Sequence, residues 1–173
     1  IPISHARTRK ETRFFFAWGV WFSAICFRFF GYFPVLQLTP ALGRLFTPAD
    51  DQTVGGHFVV ILSYDYWRNR FALNPNVLND TLLVNGQAMT IVGVTPRGFS
   101  GTTLGQRPDV FVPLTMRAQM QPGFKGFENR RQYWAYLFAR LKPGVSREQA
   151  TVALNGPFHA IINDVEAPLQ KGM

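Results

Sequence analysis

The sequence holds a single cysteine, Cys26, and only three histidines, His5, His57 and His159, in 173 residues. A disulfide within the chain is thereby excluded, as is a zinc site built on cysteines, and the histidines leave little for a His-based metal centre. Charge is sparse too, at 16% of residues against the ~25% usual in soluble domains. Phosphate-cradling sequences are missing: there is neither a Gly-x-Gly-x-x-Gly nor a Gly-rich loop closing on Lys-Ser/Thr, so nucleotide binding and ATP hydrolysis have no support. No serine lies in a Gly-x-Ser-x-Gly elbow, which leaves Ser63 and Ser100 as nucleophiles by residue type alone and a secreted or lipid-anchored hydrolase without a motif.

What the chain has is apolar residues, at 47%, enough to rule out wholesale disorder, in a length that fits one domain. Eighteen Lys and Arg face ten Asp and Glu, and the resulting +8 favours an anionic neighbour such as a membrane surface or nucleic acid. Arg130, Arg131, Arg140, Lys142 and Arg147 cluster late in the sequence, yet no helix-turn-helix, zinc finger or RNP-like strand accompanies them. The aromatic stripe of Trp134, Tyr136 and Phe138 reads as core rather than as a base-stacking platform, so no nucleic-acid partner is expected.

Composition divides the chain. Eight of the 17 phenylalanines fall between Phe14 and Phe33, and Arg7, Arg9, Lys10 and Arg13 precede the uncharged run Phe14 to Phe27. A basic flank before an apolar run resembles a membrane-targeting segment, but a span needs ~20 apolar residues and Arg28 interrupts this one. Residues 1–30 are therefore read as a membrane anchor, a buried apolar helix, or a segment foreign to the domain, as a frame shift would leave. Ile1 rather than Met stands first, in keeping with a piece of a longer chain.

From Gly31 onward the punctuation is that of a compact domain, expected over 31–166 with a tail at 167–173. Thr47 to Asp51 supplies a loop or capping segment. Phe58 to Leu62 (FVVIL) lacks polar alternation and predicts a buried strand. Ser63 is placed to cap a following helix whose aromatic face is Tyr64, Trp67 and Phe71, with Arg68 and Arg70 in solvent and Asn74-Pro75 as the stop. Asn85-Gly86 between Thr81–Val84 and Gln87–Val94 predicts a hairpin on a type I′ turn, since both central residues need positive φ. Asp109 to Pro113 reads as a strand with Pro113 at an edge or at its end, Met116 to Arg131 as a loop holding one helical turn, and Tyr133 to Leu141 as another strand. Ser146 and Gln149 form a capping box for a last helix, which Gly156-Pro157 is expected to break before Ile161 and Ile162. The order is α+β: a mixed β-sheet with a β-hairpin and two packing helices, in a single domain.

Few residues suggest chemistry. Asp50, Asp51 and His57 would make an incomplete metal site, and the adjacent carboxylates read better as solvated caps. Gly98, Gly101 and Gly105 read as loop residues, and Cys26, in its apolar run, as a small hydrophobe. No catalytic, cofactor-binding or metal residue is assigned. Phe124, Phe127, Arg130 and Arg131, in the exposed loop, form the candidate partner contact, because aromatics and Arg dominate interface hot spots.

Five segments in register carry a family resemblance: GYFPVLQLTPALGRLFTPADD (31–51), HFVVILSYDYWRNRF (57–71), LLVNGQAMTIVGVTPRGFSGT (82–102), PDVFVPLTM (108–116) and ARLKPGVSREQA (139–150). Together they resemble the MacB-like periplasmic core domain of bacterial ABC transporter permeases of the FtsX-like group. The hairpin Val84-Asn85-Gly86 followed by Val92-Gly93-Val94-Thr95-Pro96-Arg97-Gly98-Phe99 is the most specific element. The resemblance implies a non-enzymatic, cofactor-free domain on the extracytoplasmic side of the bacterial inner membrane. Its implied partners are the transmembrane helices of the same permease, the ATPase subunit and a periplasmic protein, and its implied role is to couple helix motion to substrate or partner handling in export. The alternative is a free-standing membrane-tethered or secreted protein-interaction domain.

Overall fold

The computed structural model describes residues 25–28, 31–127, 129, 135 and 139–168. They fall into two units, one up to Tyr136 and one from Leu137.

The first unit is a mixed six-stranded sheet with helices on both faces. Its strands are β1 (Ile25–Arg28), β2 (Leu42–Gly43), β3 (Val59–Leu62), β4 (Thr81–Val84), β5 (Gln87–Val94) and β6 (Val110–Pro113), and the helices are α1 (Tyr32–Val35), α2 (Tyr64–Phe71) and α3 (Arg117–Met120). The order is β1-β6-β3-β5-β2, with β4 paired to β5; β1 runs parallel to β6 and β3 parallel to β5, the other pairings being antiparallel. β1 contains Cys26 and closes the apolar run with a strand where a helix was one of the readings. Among the described residues no helix is long and apolar enough to cross a membrane.

Of the FVVIL run, Phe58 precedes the strand and is 40% exposed, and the unbroken part in β3, Val59–Leu62, now has its reason. Val60 and Leu62 join one core, with Ile91, Val94, Val110, Val112, Trp67 and Met116, while Ile61 joins the other, with Tyr32, Phe33, Phe46 and Phe111. A strand buried on both faces needs apolar residues at every position. β6 follows the same rule, all four residues being buried, and because it lies between β1 and β3 its proline takes the strand's end rather than an edge.

α2 starts where expected, with the Ser63 hydroxyl accepting from the Tyr66 N–H at 3.2 Å, but it ends before Asn74-Pro75. Ala72 (φ 49°) and Leu73 (φ 60°) turn left-handed first, a stop achieved by backbone geometry before the proline is reached. The indole N–H of Trp67 then donates to the Asn74 carbonyl at 2.9 Å and pins that turn to the helix. The hairpin turn is as expected, with Asn85 at φ 47° and Gly86 at φ 81°.

The second unit contains α4 (Arg147–Ile161), opened by the Ser146–Gln149 capping box. It does not break at Gly156-Pro157. Proline's fixed φ is itself helical, and the one N–H it removes leaves an Ala153 carbonyl on an exposed stretch where water can replace it. None of the residues of α4 is buried. The expected strand Tyr133 to Leu141 lies mostly outside the described residues.

Candidate functional site

The loop singled out in the sequence is built on a short helical segment. A 3-10 turn, Leu114–Met116, runs directly into α3, and Met116 and Met120 enter the core one turn apart, with Arg117 and Gln119 between them half-buried. Gln121-Pro122-Gly123-Phe124 then reverses the chain. The Phe124 N–H donates to the Gln121 carbonyl at 3.1 Å, and Pro followed by Gly at φ 85° is the residue pattern of a type II turn.

That reversal folds Phe124 back over α3. The Arg117 guanidinium stands 4.6 Å from the centroid of the Phe124 ring, a cation–π arrangement, and burial pushes the Arg117 pKa down from its usual value. Phe124 in turn meets Phe127 edge to face, centroids 5.1 Å apart and planes at 87°. Phe124 is half-buried and Phe127 is 38% exposed, so the pair has one embedded member and one at the surface. Arg130 and Arg131 lie outside the described residues. Sequence reasoning missed Arg117; its only signal was a Pro-Gly turn between an Arg and a Phe seven residues apart.

The segment's two ends are held from far along the chain. Asp51 Oδ1 accepts from both the backbone N–H (2.9 Å) and the hydroxyl (2.8 Å) of Thr115, and the Gly55 N–H donates to the Thr115 carbonyl at 3.0 Å. At the other end Asn85 Nδ2 donates to the Met120 carbonyl at 2.9 Å.

The residues weighed as a metal site are separated by their partners. Asp50 binds Arg44 (2.8 Å from Nη2 to Oδ1) and caps its own 3-10 turn, Pro48–Asp51, by accepting from the Thr47 N–H and hydroxyl. Asp51 binds Thr115, and His57 Nε2 accepts from the Thr53 N–H at 3.0 Å. Among the described residues no group of three or more His, Cys, Asp or Glu could hold a metal ion. The two carboxylates are caps, as expected, but they are buried rather than solvated, at 7% and 6% exposure. Burial on this scale needs partners: Asp50 has them on both oxygens, whereas Asp51 has them on Oδ1 and its Oδ2 is buried without one among the described residues. Ser63 is committed to its cap, and Gly98, Gly101 and Gly105 each take positive φ in the loop between β5 and β6.

Asp50 makes stability depend on pH. Burial alone would raise its pKa, but the Arg44 guanidinium and the Thr47 donors overrule it and hold the carboxyl at about 2 against an ordinary 3.8. A pKa lowered by folding stabilises the native state above the ordinary value and stops doing so as pH falls toward the lowered one. Unfolding free energy is therefore expected to drop by about 2 kcal/mol between pH 5 and pH 2 from this group, an upper figure because Arg44 is half in solvent. Urea titrations across that range check it: Asp50→Asn should flatten the profile, and an unflattened profile would remove Asp50 as its source.

The model of the MacB-like periplasmic core domain family matches residues 9–156. Among solved structures, the periplasmic region of MacB from Actinobacillus actinomycetemcomitans is similar in fold, with 20% identity and a TM-score of 0.52 over 77% of this chain and 54% of that one. The extracellular domain of the noncanonic ABC-type transporter YknZ from Gram-positive bacteria matches at 25% identity and a TM-score of 0.40, over 51% of this chain and 42% of that one. The chain thus spans about half the length of these solved relatives. No curated protein matches it.

Proposed function

The chain belongs to the MacB-like periplasmic core domain family, and on that premise we propose that it is the extracytoplasmic module of an ABC-type transporter permease at a bacterial cell membrane. The observation that carries the proposal is the family match over residues 9–156, most of the chain. The module is non-catalytic. Transmembrane helices of the same permease and a cytoplasmic ATPase supply the motion, and the domain passes it to substrate or to a partner protein outside. A sheet packed on both faces suits this work, because a close-packed interior transmits displacement with little compression.

Reading the DNA on both sides of the coding segment tests the assignment. Transmembrane helices and an FtsX-like module in flanking frames support it; a flank holding neither overturns it. Because β1 (Ile25–Arg28) pairs with β6, the sheet takes in residues ahead of the expected boundary at 31, and the same reading decides whether residues 1–24 are an anchor or foreign to the domain.

Within the module, Phe124, Phe127, Arg130 and Arg131 form the partner contact. Support comes from the Phe124–Phe127 pair, an aromatic anchor embedded at one end and exposed at the other, as hot-spot residues are. In the intact permease with its ATPase, Phe127→Ala is expected to cut transport about tenfold, the effect of losing one hot-spot side chain, while the domain stays folded and loses only about 1 kcal/mol of stability. Unchanged transport in Phe124→Ala and Phe127→Ala would sink the contact.

A further inference from the structure

The helical segment 114–120 has no side-chain cap of its own at either end, whereas α2 and α4 both begin with a serine cap. A short helix leaves its first N–H and last C=O groups without intrahelical partners, and in so short a segment these groups are most of its hydrogen bonding. Its unpartnered ends are met instead by two side chains distant in sequence. Asp51, 64 residues before Thr115, accepts the first-turn N–H of Thr115, and Asn85, 35 residues before Met120, donates to the last-turn carbonyl of Met120. These are the roles of an N-cap and a C-cap, performed from another part of the chain.

Both caps come from well-anchored positions. Asp51 ends the 3-10 turn that Asp50 ties to Arg44 beside β2, and Asn85 is the first residue of the type I′ turn joining β4 and β5. We propose that Asp51 and Asn85 are positioning residues, whose caps in trans fix both ends of the 114–120 segment and so set where the Phe124–Phe127 pair stands against the sheet. In this arrangement the β4–β5 hairpin and the aromatic turn move as one body. The functional weight of the proposal rests on Phe124 and Phe127 being a contact; the positioning itself does not.

Asn85 allows a clean test, because its two roles separate. Asn85→Gly keeps a residue suited to positive φ, so the hairpin turn survives, and removes only the amide that reaches Met120. Asn85→Asp also keeps the turn and replaces the donor with an acceptor. Amide hydrogen exchange on the full chain reads the result. The Gln121 N–H, bonded to the Arg117 carbonyl, and the Phe124 N–H, bonded to the Gln121 carbonyl, should exchange about tenfold faster in both variants, the effect of one lost cap. The sheet amides of Ile91 and Thr95 should keep their rates. At the other end Asp51→Ala should speed exchange at Arg117, and Asp51→Asn, which retains an accepting oxygen, should restore most of the protection.

Unchanged exchange at Gln121 and Phe124 in both Asn85 variants overturns the proposal. Equal acceleration of turn and sheet overturns it as well, since Asn85 would then be serving the fold as a whole. Transport measured on Asn85→Gly separates the two readings: faster exchange with normal transport leaves the caps standing and removes the contact they were thought to serve.

Discussion

Gly93→Ala is expected to destabilise the domain by about 3 kcal/mol, far above the cost of ordinary surface substitutions. Gly93 sits in β5 directly opposite Gly43 of β2, where the two backbones come together without side chains between them. A Cβ on Gly93 would lie 1.9 Å from the Arg44 carbonyl oxygen and 2.9 Å from the Arg44 carbonyl carbon and nitrogen. These are backbone atoms, and no rotamer change can move them aside. The alternative is for β2 to leave the sheet, surrendering the bonds from Ala41 N–H to the Val94 carbonyl and from Arg44 N–H to the Val92 carbonyl, each 3.0 Å. Arg44 would then be drawn from Asp50, leaving a buried carboxylate without its cation. Urea unfolding of the variant measures the loss. Gly156→Ala is the internal control of opposite sign: in a helix, with nothing within 4 Å of the added methyl, it should gain about 0.5–1 kcal/mol. A Gly93→Ala protein of unaltered stability would mean that β2 does not approach β5 this closely.

Gly93 also shows where sequence reading stops. Its place in the Val-Gly-Val string was visible, and the family resemblance marked it, but the reason for glycine was a strand 50 residues earlier in the chain. Local signals were legible because they are settled within a few residues: the Asn85-Gly86 turn, the Ser63 and Ser146 caps, and the two-faced strand at 59–62. The stop of α2 at Ala72 was not, since nothing in Ala-Leu marks a left-handed pair and tertiary packing chose it over the proline nearby. The same division runs through the site. Phe124 and Phe127 could be picked out by residue type and loop context, whereas Arg117 required the turn that folds the chain back. Asp51 and Asn85 were misjudged in different ways. Asp51 was read as solvated because adjacent carboxylates usually are, and Asn85 as a turn residue only, because no sequence pattern connects it to a carbonyl 35 positions on.

Phe33→Ala is expected to cost about 3–5 kcal/mol, enough to remove a large part of the stability of a domain this size. Phe33 is fully buried and is the hub of the second core: its ring meets Tyr32, Phe46, Phe99 and Phe111 with centroids 5.3 to 6.3 Å apart, mostly edge to face. Those partners come from α1 itself, the stretch after β2, the loop after β5, and β6, so one side chain joins its own helix and two loops to the sheet face that Ile61 and Phe111 provide. Truncation removes the transfer energy of a large aromatic and leaves a cavity that rigid rings around it cannot collapse to fill. α1 has a single turn and no capping side chain, and Tyr32 and Phe33 are its only buried residues, so its place on the sheet depends on them. Phe33→Leu, which keeps most of the volume, should recover more than half of the loss. The comparison distinguishes a packing hub from a bystander: equal midpoints for Phe33→Ala and the unsubstituted chain in urea would show that this face of the sheet is not held together by its aromatic cluster. The contrast with Phe127→Ala follows from burial, since the same deletion at a 38% exposed position removes less apolar contact and leaves no enclosed cavity, so it should cost about 1 kcal/mol, from part of the ring's burial and its edge-to-face contact with Phe124.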